Sequence, residues 1–155
     1  MKNISYFMFF SLIAVSGCSF QNNNEVKDNG IWVQLGYGQS IDGYTRSGNL
    51  IYGGYLDSLV YYTPMSDVDV QTFKVCKGSG YAKDNKRVYY PLMVTCVEGK
   101  NYGGCYFEKY VVQKAKPETF KYLKDGYAID RNQLFYKGEK IKYKNSIIKD
   151  LLEEK

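Results

Sequence analysis

Short apolar and aromatic runs, separated by polar or glycine-containing turns, dominate the chain and predict β-strands. In residues 31–63 these runs include Trp32-Val33, Ile51-Tyr52 and Leu59–Tyr62, with glycines between them at close intervals. Aromatic and β-branched residues favour strands, whereas glycine favours tight turns. Helical periodicity is poor in this part of the chain, so the pattern predicts an antiparallel meander.

One pattern of positions occurs twice, in residues 69–90 (the first full copy) and 116–143 (the second full copy). Each copy has Thr-Phe-Lys, then Gly-Tyr-Ala, an aspartate-containing turn and a closing aromatic run. The matched residues are Thr72-Phe73-Lys74 with Thr119-Phe120-Lys121, Gly80-Tyr81-Ala82 with Gly126-Tyr127-Ala128, Asp84 with Asp130, and Val88-Tyr89-Tyr90 with Leu134-Phe135-Tyr136. Each copy predicts a β-hairpin with a turn before it. Since one hairpin cannot bury its own face, neighbouring copies are expected to stack or pair.

A degenerate copy begins at Asp42-Gly43-Tyr44, which resembles Asp125-Gly126-Tyr127. Two segments compete as its closing strand, Leu50-Ile51-Tyr52 and Val60-Tyr61-Tyr62. Both are aromatic runs of the kind that favours strands. The sequence leaves the two alternatives open.

The two full copies resemble the DKNYP (also DKNYY) repeat family of bacterial envelope proteins. The matching pieces are TFK with GYAKDNKRVYY in one copy, and TFK with GYAIDRNQLFY in the other. The resemblance covers Asp67 to Tyr143, about half of the chain. Two features depart from it, because neither turn reads Asp-Lys-Asn and a long insertion separates the copies. The function of that family is undetermined, so the resemblance implies an architecture and no activity.

The first 17 residues read as a bacterial lipoprotein signal peptide. A single Lys2 precedes the apolar run Ile4–Val15, which is shorter than the about 20 residues that span a bilayer. The run ends in Val15-Ser16-Gly17-Cys18, which resembles a lipobox. That resemblance implies cleavage before Cys18 and acylation of Cys18 with chains such as palmitate, and two or three chains anchor firmly. The alternative is an ordinary signal peptide with a chance cysteine. Ser19, in place of aspartate, favours the outer membrane, facing the periplasm.

Three segments are expected in the whole chain: the signal peptide (1–17), a polar tether (18–30) and one β-rich repeat domain (31–155). The tether is Asn-rich and has too few apolar residues to form a core. At the end of the domain, Ile147, Ile148, Leu151 and Leu152 share one face of a predicted short helix. The predicted fold is therefore mostly β, with antiparallel hairpin repeats and a short C-terminal helix.

The cysteines bear on the insertion between the full copies. A hairpin turn at Lys100-Asn101 would place Cys96 directly opposite Cys105, because both pairs of numbers sum to 201. A disulfide there needs an oxidising compartment, which export provides. Apart from Cys18, three cysteines remain, so one is unpaired or pairs outside the chain. Pairing of Cys76 with either of the others, or three reduced thiols, are the alternatives.

Composition argues against most enzyme classes. The chain has no histidine, which removes the commonest general base and any Ser-His-Asp or Cys-His site. No phosphate-binding glycine loop or CxxC zinc pattern is present. Without Lys2 the formal charge falls from +5 to +4, and the charges are scattered. Nucleic-acid binding is disfavoured, and no cofactor or metal is expected.

The carboxylates have mainly structural interpretations. Asp69 is expected to cap a turn, and Asp84 and Asp130 are expected in equivalent hairpin turns. Asp67 and Asp69 would share one strand face, but nothing nearby explains the raised pKa that a glycosidase acid needs. Calcium binding at residues 130–132 lacks the glycine and later glutamate of an EF-hand loop.

Tyrosine is unusually frequent, with 17 residues in the chain. Its apolar ring and polar hydroxyl suit both half-buried sheet faces and binding surfaces. Candidates for an exposed aromatic surface are Tyr61, Tyr62, Tyr89, Tyr90 and Tyr136. In each adjacent pair, one side chain is expected to face inward and the other outward.

These features together predict a non-catalytic, lipid-anchored envelope protein. The preferred function is a protein-interaction or scaffold module of undetermined role, with an envelope protein as its partner. The alternative is a module that binds peptidoglycan or another envelope glycan through exposed tyrosines and lysines. An enzyme is the third and least favoured reading.

Overall fold

The computed structural model describes residues 26–56, 63–98, 103–143, 147, 150 and 151, and twelve strands lie within them. The strands are β1 (Trp32–Gln34), β2 (Ser40–Ile41), β3 (Tyr44–Ser47), β4 (Leu50–Leu56), β5 (Lys74–Cys76), β6 (Ala82–Lys83), β7 (Val88–Glu98), β8 (Gly103–Val111), β9 (Phe120–Lys124), β10 (Tyr127–Asp130), β11 (Gln133–Tyr136) and β12 (Glu139–Ile141). They form an eight-stranded sheet in the order β1-β5-β6-β7-β8-β4-β3-β2 and a four-stranded sheet in the order β12-β11-β10-β9.

The prediction of a mostly β, antiparallel fold is confirmed, since every pairing in both sheets is antiparallel. The predicted C-terminal helix falls largely on positions outside the described residues and stays a prediction. Tyr61, Tyr62 and Cys18 also lie outside the described residues. Within the described part of the chain, no helix is long and apolar enough to cross a membrane.

The two full copies have the same register. Ala82 pairs with Tyr89 in the first full copy, and Ala128 pairs with Phe135 at the equivalent place in the second. The first full copy contains three strands (β5 to β7) and the second contains four (β9 to β12), however, and not the hairpin expected. The residues after the lead-in turn form an extra strand, because β5 pairs with β6 and β9 pairs with β10.

The degenerate copy is present, and β4 is its closing strand. Tyr44 pairs with Gly53 as Tyr127 pairs with Tyr136, and the register stays equivalent through Ser47–Leu50 and Asp130–Gln133. The same turn precedes β3 and β10: φ is 49° and 82° at Asp42-Gly43, and 52° and 82° at Asp125-Gly126. Two successive positive φ values define a type I′ turn, which explains the Asp-Gly pairs. The competing segment 60–62 lies outside the described residues.

The three copies stack, and each has a front face and a back face. The first interface joins Tyr44 and Ile51 of the degenerate copy to Phe73, Val75, Ala82 and Tyr89 of the first full copy. The second joins Cys76, Tyr81 and Val88 of the first full copy to Phe120, Tyr122, Ala128 and Phe135 of the second. Period-two alternation along each strand produces the two faces.

Among the residues that the structure describes, no further copy lies against the back face of the second full copy. Its buried residues Leu123, Ile129 and Leu134 instead pack against parts of both chain ends, including Val26 and Leu151. The termini therefore take the position of a capping repeat.

The folded region begins before the predicted boundary at residue 31. Asp28, assigned to the tether from composition, accepts hydrogen bonds from Trp32 Nε1 (2.9 Å) and from the backbone N–H groups of Gly30 (2.9 Å) and Tyr122 (3.0 Å). The Asn29 N–H donates to the carbonyl of Tyr122 (2.9 Å). Residues 26–30 thus lie along the edge of β9.

Candidate interaction surface

The aspartate of each full copy is buried and organises the turn around it. Asp84 accepts hydrogen bonds from the N–H groups of Asp69 (2.8 Å), Lys86 (2.7 Å) and Arg87 (2.7 Å), and from the Tyr89 hydroxyl (2.7 Å). It joins the lead-in turn to the hairpin turn of its own copy. The structural interpretation of this aspartate is therefore confirmed.

Asp130 occupies the equivalent position in the second full copy. It accepts hydrogen bonds from the Lys116 N–H (2.8 Å) and the Thr119 hydroxyl. Asp84 and Asp130 are 4% and 1% exposed, and their carboxylates are occupied by hydrogen bonds within their own copies. The part of the chain that the structure describes contains no group of three or more His, Cys, Asp or Glu side chains that could hold a metal.

A tyrosine hydroxyl joins each copy to the glycine carbonyl of the next. Tyr44 donates to the carbonyl of Gly80 (3.0 Å), and Tyr81 donates to the carbonyl of the equivalent Gly126 (3.1 Å). The Tyr81 oxygen also accepts the Gly138 N–H (2.8 Å). Burial raises the pKa of Tyr81 above its ordinary value. The equivalence of Gly80-Tyr81 and Gly126-Tyr127 was predicted from the repeat, but this contact between copies was not.

The predicted tyrosine surface is only partly present. The prediction that Tyr89 contributes to an exposed surface is wrong, because its ring is fully buried in the first interface and its hydroxyl contacts Asp84. Tyr90 is half-buried, with its ring centroid 4.8 Å from that of Tyr81. Tyr136 is 37% exposed and its ring lies 4.6 Å from that of Tyr127, so it alone of these three presents much of its surface.

The disulfide between Cys96 and Cys105 is confirmed. The two residues are directly opposite each other in β7 and β8, with Cα atoms 4.0 Å apart. Cys76 is free and fully buried in the second interface. Burial raises the pKa of its thiol. The alternatives that paired Cys76 or left all three thiols reduced are therefore wrong.

The insertion between the full copies forms a long β-hairpin, here called the ribbon, which comprises β7 from Met93 to Glu98 and its β8 partners. The far side of β8 pairs with β4 at residues 104–106. On its other side β7 pairs with β6 only at Val88 and Tyr89, so within the described residues its outer part has a single neighbour. We call the segment Val94–Glu98 the ribbon edge. Val94 and Val97 are 44% and 41% exposed there, which is unusual for strand valines.

A cleft of about 560 Å³ lies where the ribbon leaves the stack. The register of β7 with β8 shifts beside Met93, and such bulges re-aim side chains. The cleft is lined by Leu92, Met93, Glu108, Lys109, Tyr110, Val111, Gln113 and Glu139. Leu92 and Met93, two of its apolar lining residues, lead directly along β7 into the exposed ribbon edge.

Lys83 links the two full copies at a second groove. Its Nζ donates to the carbonyls of Phe120 (3.1 Å) and Pro117 (3.3 Å) and lies 4.2 Å from the centroid of the Trp32 ring. Burial lowers the pKa of this lysine. The ammonium group is thus already bound by groups of the chain itself, so the groove is a weaker candidate for ligand binding than the ribbon edge.

Comparison with protein-family models, with curated proteins and with solved structures finds no match. The resemblance of residues 67–143 to the DKNYP repeat family therefore stays a prediction. What the geometry defines is a mostly β protein of three stacked copies, with a disulfide-linked ribbon that exposes an apolar edge.

Proposed function

We propose that this protein is a non-catalytic interaction module of the bacterial envelope, held at the membrane by acyl chains on Cys18. The ribbon edge is the observation that carries the proposal. Unpaired strand edges bind other strands readily, and natural proteins usually protect them with charge, proline or cover. Between Val94 and Val97 the edge carries no charged residue.

The disulfide supports the exported location. Disulfides persist in oxidising compartments such as the periplasm and are rare in the cytosol. An exported chain with the lipobox Val15–Cys18 is expected on the outer membrane, facing the periplasm. We also propose the short C-terminal helix that carries Ile147, Ile148, Leu151 and Leu152 on one face, which the packing of Leu151 against the second full copy supports.

The test is cross-linking of the tagged full-length chain in cells, followed by mass spectrometry of the captured proteins. We expect one protein to be captured reproducibly, and to be lost when Val94→Lys and Val97→Lys place charge on the ribbon edge. Leu50→Lys is the matched control, because Leu50 is 45% exposed on a different hairpin. Capture that is equal in all variants would contradict the proposal.

A second variant tests the anchor separately. Cys18→Ser is expected to release the chain from the membrane fraction and to abolish incorporation of labelled palmitate. If Cys18→Ser remains membrane-bound, the lipid anchor and the localisation derived from it are wrong, even if the ribbon edge binds a partner.

The alternative function is binding of peptidoglycan or another envelope glycan. The exposed ring of Tyr136, with the Lys137 Nζ 5.4 Å from its centroid, favours it. Aromatic rings beside cationic groups can contact sugar faces and anionic groups together. Co-sedimentation with purified sacculi that Tyr136→Ala abolishes and Tyr37→Ala preserves would support this function. Tyr37 is the control because it is 80% exposed elsewhere.

A further inference from the structure

We propose that the partner of the ribbon edge is the ribbon edge of a second copy of this chain, paired antiparallel about a two-fold axis at Thr95. This inference rests on the proposed function, because it names the partner of the same surface. It follows from the direction of the backbone groups, the self-complementary sequence of the edge and the small area available.

The spacing of the two cysteines shows which backbone groups face outward. Their Cα separation of 4.0 Å matches a non-hydrogen-bonded antiparallel pair, about 4.5 Å, and not a hydrogen-bonded pair, about 5.5 Å. The N–H and C=O groups of Cys96 therefore point away from β8. The register is regular from Val94 to Glu98, so the backbone groups of these two residues also point outward.

Symmetry limits how two such edges can pair. An antiparallel pair of identical strands has its two-fold axis perpendicular to the sheet, and directly opposing residues lie on the same face of the sheet. Because side chains alternate between faces, two opposing residues are both odd-numbered or both even-numbered, and their numbers sum to an even value. A centre at Val94 would oppose Glu98 to Tyr90, beside Tyr89, whose outer side already pairs with β6. A centre at Cys96 would oppose the charge of Glu98 to Val94.

The centre at Thr95 keeps the second strand clear of β6, and it opposes Glu98 to Leu92 at the end of the paired segment. It pairs Val94 with Cys96 through their outward backbone groups, and it places Val97 opposite Met93. Residues 91–97 are uncharged, so no like charges meet in the paired segment. The two Glu98 side chains are six residues apart along the ladder, about 20 Å at 3.3 Å per residue.

The expected dimer is weak in solution. A few paired residues on each side bury much less than the about 1,200–2,000 Å² of a stable interface. Attachment of two protein chains to one membrane raises their effective concentration, which favours a weak dimer even though no further contacts form. The dimer is therefore expected at the membrane surface and not in dilute solution.

The test is photo-cross-linking of the full-length chain in cells, with p-benzoylphenylalanine in place of Val97. Benzophenone reacts readily with methionine, and the proposed pairing places Met93 of the second copy opposite. We expect a dimer band whose cross-linked peptide contains Met93, reduced several-fold by Val94→Lys. The same probe at Leu50, on a separate hairpin, is expected to give no dimer. Thermal unfolding of each variant verifies that it folds.

Three results would overturn the proposed pairing, and they are distinguishable from one another. Cross-linking at Val97 to a different protein would exclude the second copy but leave the proposed interaction module intact. No cross-link at Val97 to any protein would contradict both the dimer and the proposed function. A dimer linked through residues other than 92–98 would exclude the pairing about Thr95.

Discussion

The buried Asp84 is expected to be one of the most sensitive positions for stability. Asp84→Ala removes four hydrogen-bond acceptor contacts, of which those to Lys86 and Arg87 can be replaced by water at the surface turn. The Tyr89 hydroxyl and the Asp69 N–H are less accessible and lose their partner. Leaving a buried donor unsatisfied costs about 1–3 kcal/mol. We therefore expect Asp84→Ala to lower the free energy of unfolding by about 3–5 kcal/mol.

Urea unfolding, followed by the fluorescence of the single tryptophan Trp32, measures this loss. A double-mutant cycle with Tyr89→Phe isolates the contact between the carboxylate and the hydroxyl. Lys86→Ala is the matched control in the same turn, since only its backbone N–H contacts Asp84, and it is expected to change stability by less than about 0.5 kcal/mol. A loss below about 1 kcal/mol for Asp84→Ala would refute the reasoning.

Three further predictions follow. Replacing Cys96 and Cys105 by alanine is expected to cost about 2–3 kcal/mol on the loop-entropy estimate, and the loss should match that of the parent protein under reducing conditions in urea unfolding. Lys83→Met keeps the apolar stem but leaves two carbonyls without their donor, so we expect a loss of about 1–3 kcal/mol, against no measurable loss for the exposed control Lys74→Met. Burial raises the pKa of Tyr81, so the folded chain keeps this proton where the unfolded chain, with an ordinary pKa near 10, releases it. Stability should therefore fall above pH 10 by up to about 1.4 kcal/mol per pH unit from this group, and urea unfolding at pH 9–11 should give a shallower slope for Tyr81→Phe.

Local patterns predicted the elements whose chemistry is local. The hairpin turns at Asp84 and Asp130, the repeated Gly-Tyr-Ala triplets and the position of Cys96 opposite Cys105 all depend on a few neighbouring residues. The strands, their antiparallel pairing and the disulfide could be predicted for this reason.

Features that depend on how the copies stack could not be predicted in the same way. Alternation shows that Tyr89 and Tyr90 face opposite sides, but not which side meets the preceding copy. The docking of residues 26–30 was not predicted, because Asp28 and Asn29 hold this segment through polar contacts. In a prediction from composition, polar residues indicate a solvated tether. The contact of Tyr81 with Gly126 spans 45 residues, so no local signal contains it.

Both chain ends pack on the back face of the second full copy, so the two ends of the array of copies differ. Because Val26 lies against the second full copy, the N-terminal segment departs from that end of the array. If the chain is anchored at Cys18 as proposed, the eight residue steps from Cys18 to Val26 span at most about 26–29 Å. The second full copy then stands nearest the bilayer, even though it comes last in the sequence, and the degenerate copy stands farthest from it.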